Sequence, residues 1–401
     1  MTKKVPIYLT ILLIHAAVVV TFNATYIAVT EKQNAKLNSI ISEYGFYDEL
    51  LTLDKTVRGN YIGRIDDSVL KSSILEGYVN GIGDIYSAFL TKDEYETFLN
   101  EQDGSTVGIG VSVIYDNENM EIISVIPSSP ADGAGMQPGD LIVAVGGKPI
   151  SDLGYYGAVD MIKGDEGTEV SITYRRDGRE TTVTCVRKHV TASSVEYRQH
   201  TLDASIGIVR ITEFNTSTPA DVRNAVEKLR EAGCSKFVFD LRNNGGGELN
   251  SIVETLDFIL PAGPIVHINF ANGTKQDYNS DEKCMSEKIA VLVNSNTASA
   301  AELFACSVQD YAHEGKTEAS IIGVTTYGKG VLQSFYTLKN GDAFKISSGR
   351  YDPPYSENYD GKGVTPDIFT ELSEQAKSIN FYKLTDDVDN QMAAAVDYLN
   401  K

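Results

Sequence analysis

Cysteine is scarce in this chain, four in 401 residues, and its placement argues against two kinds of chemistry. Cys185, Cys234, Cys284 and Cys306 show no paired C-x-x-C spacing, so neither a zinc knuckle nor a thiol redox motif is supported. Disulfides stay open, because an oxidising location would allow them. Cys306 reads as a small core residue. Histidine is as thin: His15, His189, His200, His267 and His313 are scattered and give no metal-ligand spacing. Basic residues number 35 against 55 acidic ones, and the formal net charge of −20 argues against nucleic acid or an anionic membrane surface as the main partner. There is no internal repeat and no low-complexity segment.

What is present begins at the amino terminus. Lys3 and Lys4 precede an almost purely apolar stretch from Val5 to Phe22, interrupted by His15 and extendable through Tyr26-Ile27-Ala28-Val29. Its length suits a bilayer span with the lysines on the cytoplasmic side, which predicts an uncleaved membrane anchor over residues 1–30. A cleaved signal peptide is the alternative, although no convincing small-x-small site follows. Either reading puts the bulk of the chain, long enough for two domains, outside the cytoplasm.

Residues 31–103 read as an amino-terminal helical region, with helices expected over Asp66 to Gly77 and Lys92 to Phe98. From 104 to 189 the texture changes to short strands between glycine turns, including the alternating Val170, Ile172 and Tyr174. From Ile206 onward strands and helices alternate, which predicts an α/β layer structure over 190–375, followed by a helical segment over 376–401. In such folds ligand sites gather where strands end.

Two turns sit at such ends. Asp240-Leu241-Arg242-Asn243-Asn244-Gly245-Gly246-Gly247 closes a strand with three glycines before a helix, and no Gly-Lys-Ser/Thr follows to make a phosphate loop. The apolar run Ile289 to Val293 leads into Thr297-Ala298-Ser299-Ala300-Ala301-Glu302, so Ser299 stands where a strand hands over to a helix. Unpaired N–H groups at a helix start can face a developing oxyanion. A lysine held neutral can serve as base to such a serine, and Lys329 lies in Tyr327-Gly328-Lys329-Gly330. Taken singly, Ser299 also reads as a helix cap, Lys329 as a surface turn residue and the glycines as a flexible turn.

Taken in order, these motifs resemble the carboxy-terminal processing peptidases, S41-type serine proteases with an inserted PDZ domain. The resemblance spans about residues 40 to 370 and adds Gly83-Asp84-Ile85-Tyr86-Ser87, Gln333 and Gly361-Lys362-Gly363-Val364-Thr365-Pro366-Asp367. It implies an α/β (α+β) protease core, a PDZ-like β domain at 104–189, and no metal or organic cofactor. Ser299 would be the nucleophile, Lys329 the general base and Gln333 its orienting partner, with N–H groups near Gly246 and Ala300 forming the oxyanion hole. Gly108-Ile109-Gly110-Val111 resembles the loop by which PDZ domains hold a peptide carboxylate, so peptides with apolar carboxyl termini are the expected partners. Lys163 falls where members often carry an arginine linked to activation, and a lysine there lacks the bidentate fork. The chain departs from the pattern with Asn244-Gly245 where Asn-Pro is common and with a longer interval between Ser299 and Lys329. The amino-terminal helical region and the segment after Ser373 are the expected surfaces of a homodimer. The rival functions are an inactive PDZ scaffold and a hydrolase of small esters.

Overall fold

The near-continuous apolar strands of the carboxyl-terminal half cannot tolerate water on either face, and a layered arrangement buries both. The computed structural model describes residues 7–102, 104–116 and 119–401. In it, strands Val195–Gln199, Ile206–Ile211, Lys236–Asp240, Lys288–Val293, Ala319–Gly323 and Ile368–Phe369 lie side by side in that order. The first pair is antiparallel and the rest are parallel. Successive side chains alternate between the faces. Val209, Phe237, Phe239 and Val291 pack beneath helices Thr218–Glu231, Leu249–Ile259 and Ala300–His313. Ile208, Val238, Ala290 and Leu292 face the other way, against Met392, Ala395 and Leu399 of helix Asn390–Leu399. Each such side chain removed from water contributes roughly 1.5–3 kcal/mol.

Of a second sheet the sequence reading found only the strand at Gln333 to Leu338. Strands Ala88–Leu90, Ala343–Asp352, Gly263–Phe270 and Lys275–Ser280 form it in that order, and Val331–Thr337 also pairs with Ala343–Asp352. Three loops of the parallel sheet and two strands of this one line the cleft described below.

The inserted module is a five-strand antiparallel array, Val111–Asp116, Asn119–Val125, Leu141–Val145, Glu169–Arg176 and Arg179–Val186, with Lys148–Pro149 added on Leu141–Val145. Val170, Ile172 and Tyr174 point inward as their alternation predicts, meeting Ile150, Ala158 and Ile162 of helix Ile150–Ile162. The chain enters and leaves through a two-stranded neck, Ser105–Gly108 against Lys188–Thr191.

The chain divides into two units, one ending at Ile74 and one running from Leu75 to Lys401. The first contains helices Ile7–Tyr44, Asp48–Asn60 and the start of Asp67–Asn80. The expected membrane anchor is not supported: among the described residues no helix is long and apolar enough to cross a membrane. Helix Ile7–Tyr44 runs on through Thr21, Asn23 and Thr25 into Glu31 and Lys32, and part of the expected span, Val5 and Pro6, lies outside the described residues. All four cysteines are free thiols.

Candidate active site

Adjacent parallel strands Lys236–Asp240 and Lys288–Val293 end side by side, so the loops that follow them are stitched together. Ala298 N–H donates to Asn244 O at 2.9 Å, and Thr297 Oγ1 donates to Leu241 O at 2.9 Å. Asn243, at φ 63°, accepts from the amides of Asn294 and Asn296 at 2.8 and 3.0 Å. This seam fixes the glycine loop against the serine. A Cβ on Gly246 would sit 2.8 Å from Ser299 Cβ and 3.0 Å from Ala300 N, so only glycine fits there.

Ser299 is buried and held at φ 57°, ψ −120°, an uncommon backbone state for a residue with a side chain. It precedes helix Ala300–His313, whose first N–H, that of Ala300, has no partner within the helix. The Gly246 N–H, the other expected oxyanion donor, donates here to Asn244 Oδ1 at 2.8 Å.

Glu302 is the residue that sequence reasoning missed. Fully buried, it accepts from Ser299 N–H at 2.9 Å, Lys329 N–H at 2.8 Å, Gly328 N–H at 2.6 Å and the Thr326 hydroxyl at 2.5 Å. One carboxylate therefore ties the serine turn to the lysine loop. The signal was available as the Ser-x-x-Glu spacing at a helix start, although that pattern speaks only of capping.

Ser299, Lys329 and Gln333 line one cleft of about 490 Å³, together with Gly245, Gly247, Glu213, Glu248, Lys345 and the rings of Phe98 and Phe335. Lys329 is half-buried, its ammonium 4.6 Å from the centre of the Tyr86 ring. Burial pushes its pKa below the ordinary lysine value and the Lys345 charge adds to this, while Asp84 and Glu302 oppose. Burial also raises the Tyr86 phenol to about 12, so that ring stays neutral. Gln333 donates to Ser347 Oγ at 3.2 Å, and Ser347 N–H meets Ser87 Oγ at 3.4 Å. The Gly83-to-Ser87 motif thus reaches the residues of the cleft through Ser87 and the Tyr86 ring.

Peptidase family S41 matches residues 205–370 and a PDZ domain matches 121–176. A Staphylococcus saprophyticus protein described as a "Probable CtpA-like serine protease" is 30% identical over 84% of this chain and 69% of its own. The chain belongs to peptidase family S41. A Staphylococcus aureus protein of the same description is 31% identical over 78% of this chain, which spans 62% of that relative's length. A solved S41 structure from Bacteroides fragilis, 16% identical with a TM-score of 0.53 over 85% of this chain and 91% of that one, shares the fold.

For this S41 chain the remaining expected residues lie in the module. Ile109 is buried, Gly110 adopts φ 82°, and Val111 opens the sheet's edge strand. Ser112 to Tyr115 and Tyr155 line a second cavity, about 730 Å³, whose other walls include Thr191 to Ser193 and Tyr382. Lys163 caps the exposed end of helix Ile150–Ile162. At the same helix end Arg187 donates to Met161 O at 2.7 Å and Ile162 O at 3.0 Å. Among the described residues no group of three or more His, Cys, Asp or Glu is arranged to hold a metal ion.

Proposed function

We propose that this chain is a serine endopeptidase that cuts protein substrates near their carboxyl termini. The observation that carries the reading is the single cleft lined by Ser299, Lys329 and Gln333, with the glycine loop packed against the serine. Neutral Lys329 takes the Ser299 hydroxyl proton as Oγ bonds to the scissile carbonyl carbon, and the carbonyl electron pair moves onto oxygen. Ala300 N–H, with a glycine-loop N–H, receives that charge. Collapse breaks the C–N bond, Lys329 returns the proton to the leaving amine, and water then releases the acyl group by the same steps.

The module supports the choice of site along the substrate. A peptide can add to the edge strand Val111–Asp116, with the Gly108-to-Val111 loop taking its carboxylate. We assign Lys163 a role in coupling that event to turnover. Action outside the cytoplasm rests on Lys3, Lys4 and the apolar run behind them, and cell fractionation checks it.

The test compares the full chain with Ser299→Ala and Lys329→Ala on an unstructured protein ending in apolar residues, with products mapped by mass spectrometry. Each variant is expected to lose roughly a thousandfold or more in kcat/KM while keeping its fold. Equal cleavage by parent and Ser299→Ala removes the serine from its role. Binding without cleavage by the parent favours the scaffold reading.

A further inference from the structure

The proposed acyl chemistry makes no use of Lys345, yet this residue faces the same cleft. It lies on strand Ala343–Asp352 two residues before Ser347, and residues two apart share a face of a strand. Ser347 holds Gln333, and Lys345 lines the cleft beside it. The strand is paired on both sides at this point, Lys345 with Ala88 and with Phe335, so its backbone is fixed rather than fraying at an edge. The ammonium lies 5.9 Å from the Phe98 ring centre, and Phe98 stacks on Phe335 with centroids 4.6 Å apart.

A half-buried lysine ordinarily finds a carboxylate, and among the described residues Lys345 forms no ion pair. The acids of the region are placed elsewhere. Glu302 is committed to its four donors, and Asp84 to Ser87 and the Tyr86 N–H. Glu213 and Glu248 belong to the wall where Phe214 bridges Gly247, and Glu213 is engaged by Asn215. With Lys329 neutral, as a base must be, Lys345 is the positive charge of a cleft whose other wall is acidic and whose floor beside it is aromatic.

We propose that Lys345 is a specificity-determining residue whose ammonium binds a carboxylate carried by the substrate next to the scissile bond. The carboxylate comes from an Asp or Glu side chain or, where the chain end enters the cleft, from the terminus. This rests on the peptidase reading and sharpens its substrate class: a module that selects an apolar end, and a cleft that selects an acidic neighbour to the cut.

The experiment uses the full chain and peptides that are identical except for Glu, Gln or Lys at each position flanking a mapped cut, with free or amidated carboxyl ends. At one position Glu is expected to exceed Gln by about fivefold in kcat/KM, the size of a partly exposed charge pair. Lys345→Gln should erase that ratio, Lys345→Glu should turn it to favour Lys, and Lys345→Arg should retain it. A preference that amidation alone removes assigns the carboxylate to the terminus. A Glu preference unchanged in Lys345→Gln, or absent from the parent at every position, overturns the proposal. Binding of the same peptides to Ser299→Ala, with and without Lys345→Gln, gives the same comparison without turnover. Failure of the peptidase reading, with the parent no better than Ser299→Ala, is thereby kept apart from failure at Lys345.

Discussion

The Ser299 and Lys329 turns and the inserted module are held in opposite ways. Ser299 and the Lys329 loop converge on one buried carboxylate, with backbone donors from both. The module is joined through a two-stranded neck, and Lys383 Nζ reaches Glu121 Oε2 at 2.6 Å from the carboxyl-terminal segment, with both side chains partly exposed. Buried, fully satisfied polar networks fix one geometry, whereas partly exposed ion pairs are weak. The fold therefore invests its order in the Ser299 and Lys329 turns and leaves the inserted module on a looser mounting.

Four experiments sharpen this contrast. The largest effect is expected from Glu302→Ala, which strands the donors of Ser299, Thr326, Gly328 and Lys329. A loss of about 3 kcal/mol or more is expected, with a melting temperature lower by roughly 6–10 °C and activity near background. Calorimetry showing an unchanged transition would refute the hub.

The pH dependence comes next. On the proposed mechanism Lys329 works only when neutral, so kcat/KM should rise with pH along a limb lying below the ordinary lysine value of 10.5. The charged and titratable groups about it are Lys345 on its strand, Asp84 and Tyr86 before strand Ala88–Leu90, Glu302 on the serine helix, and Glu213 and Glu248 across the cleft. Removing the Lys345 charge lets Lys329 hold its proton more tightly, so Lys345→Gln should move the limb to higher pH. A limb that stays in place would mean that burial alone keeps the base neutral.

The smallest effects belong to the mounting. Lys383→Ala should shift the melting temperature by less than about 2 °C while hydrogen exchange in the neck strands quickens a few-fold. Lys163→Ala should blunt stimulation by peptides. Unaltered exchange in the first, or full stimulation in the second, would mean that the module is fixed by other contacts.

How far the sequence could be read depended on which signal each part carries. The parallel strands announced themselves through apolar runs such as Phe237-Val238-Phe239, and Ser299, Lys329 and the glycine loop through their order. Most of the second sheet was silent because Lys275–Ser280 is polar apart from Tyr278 and Ala343–Asp352 mixes lysine, serine and arginine. Neither pattern separates strand from loop without its neighbours. Glu302 and Lys345 were invisible for a related reason. Their meaning lies in partners far along the chain: Gly328 and Lys329 for one, Ala88 and Phe335 for the other.

The backbone of Ser299 has a cost that the rest of the site must absorb. A non-glycine residue at positive φ is worse off by about 1–3 kcal/mol than in a relaxed turn. The seam to Asn244 and the Glu302 carboxylate hold it there against that tendency. At this one residue, usefulness and comfort oppose each other: any change that lets the turn relax gains stability and lets the hydroxyl drift from its aim. Ser299 is a spring kept wound by its neighbours, and on the proposed mechanism a search for sturdier variants would find it an easy place to gain heat tolerance and lose activity.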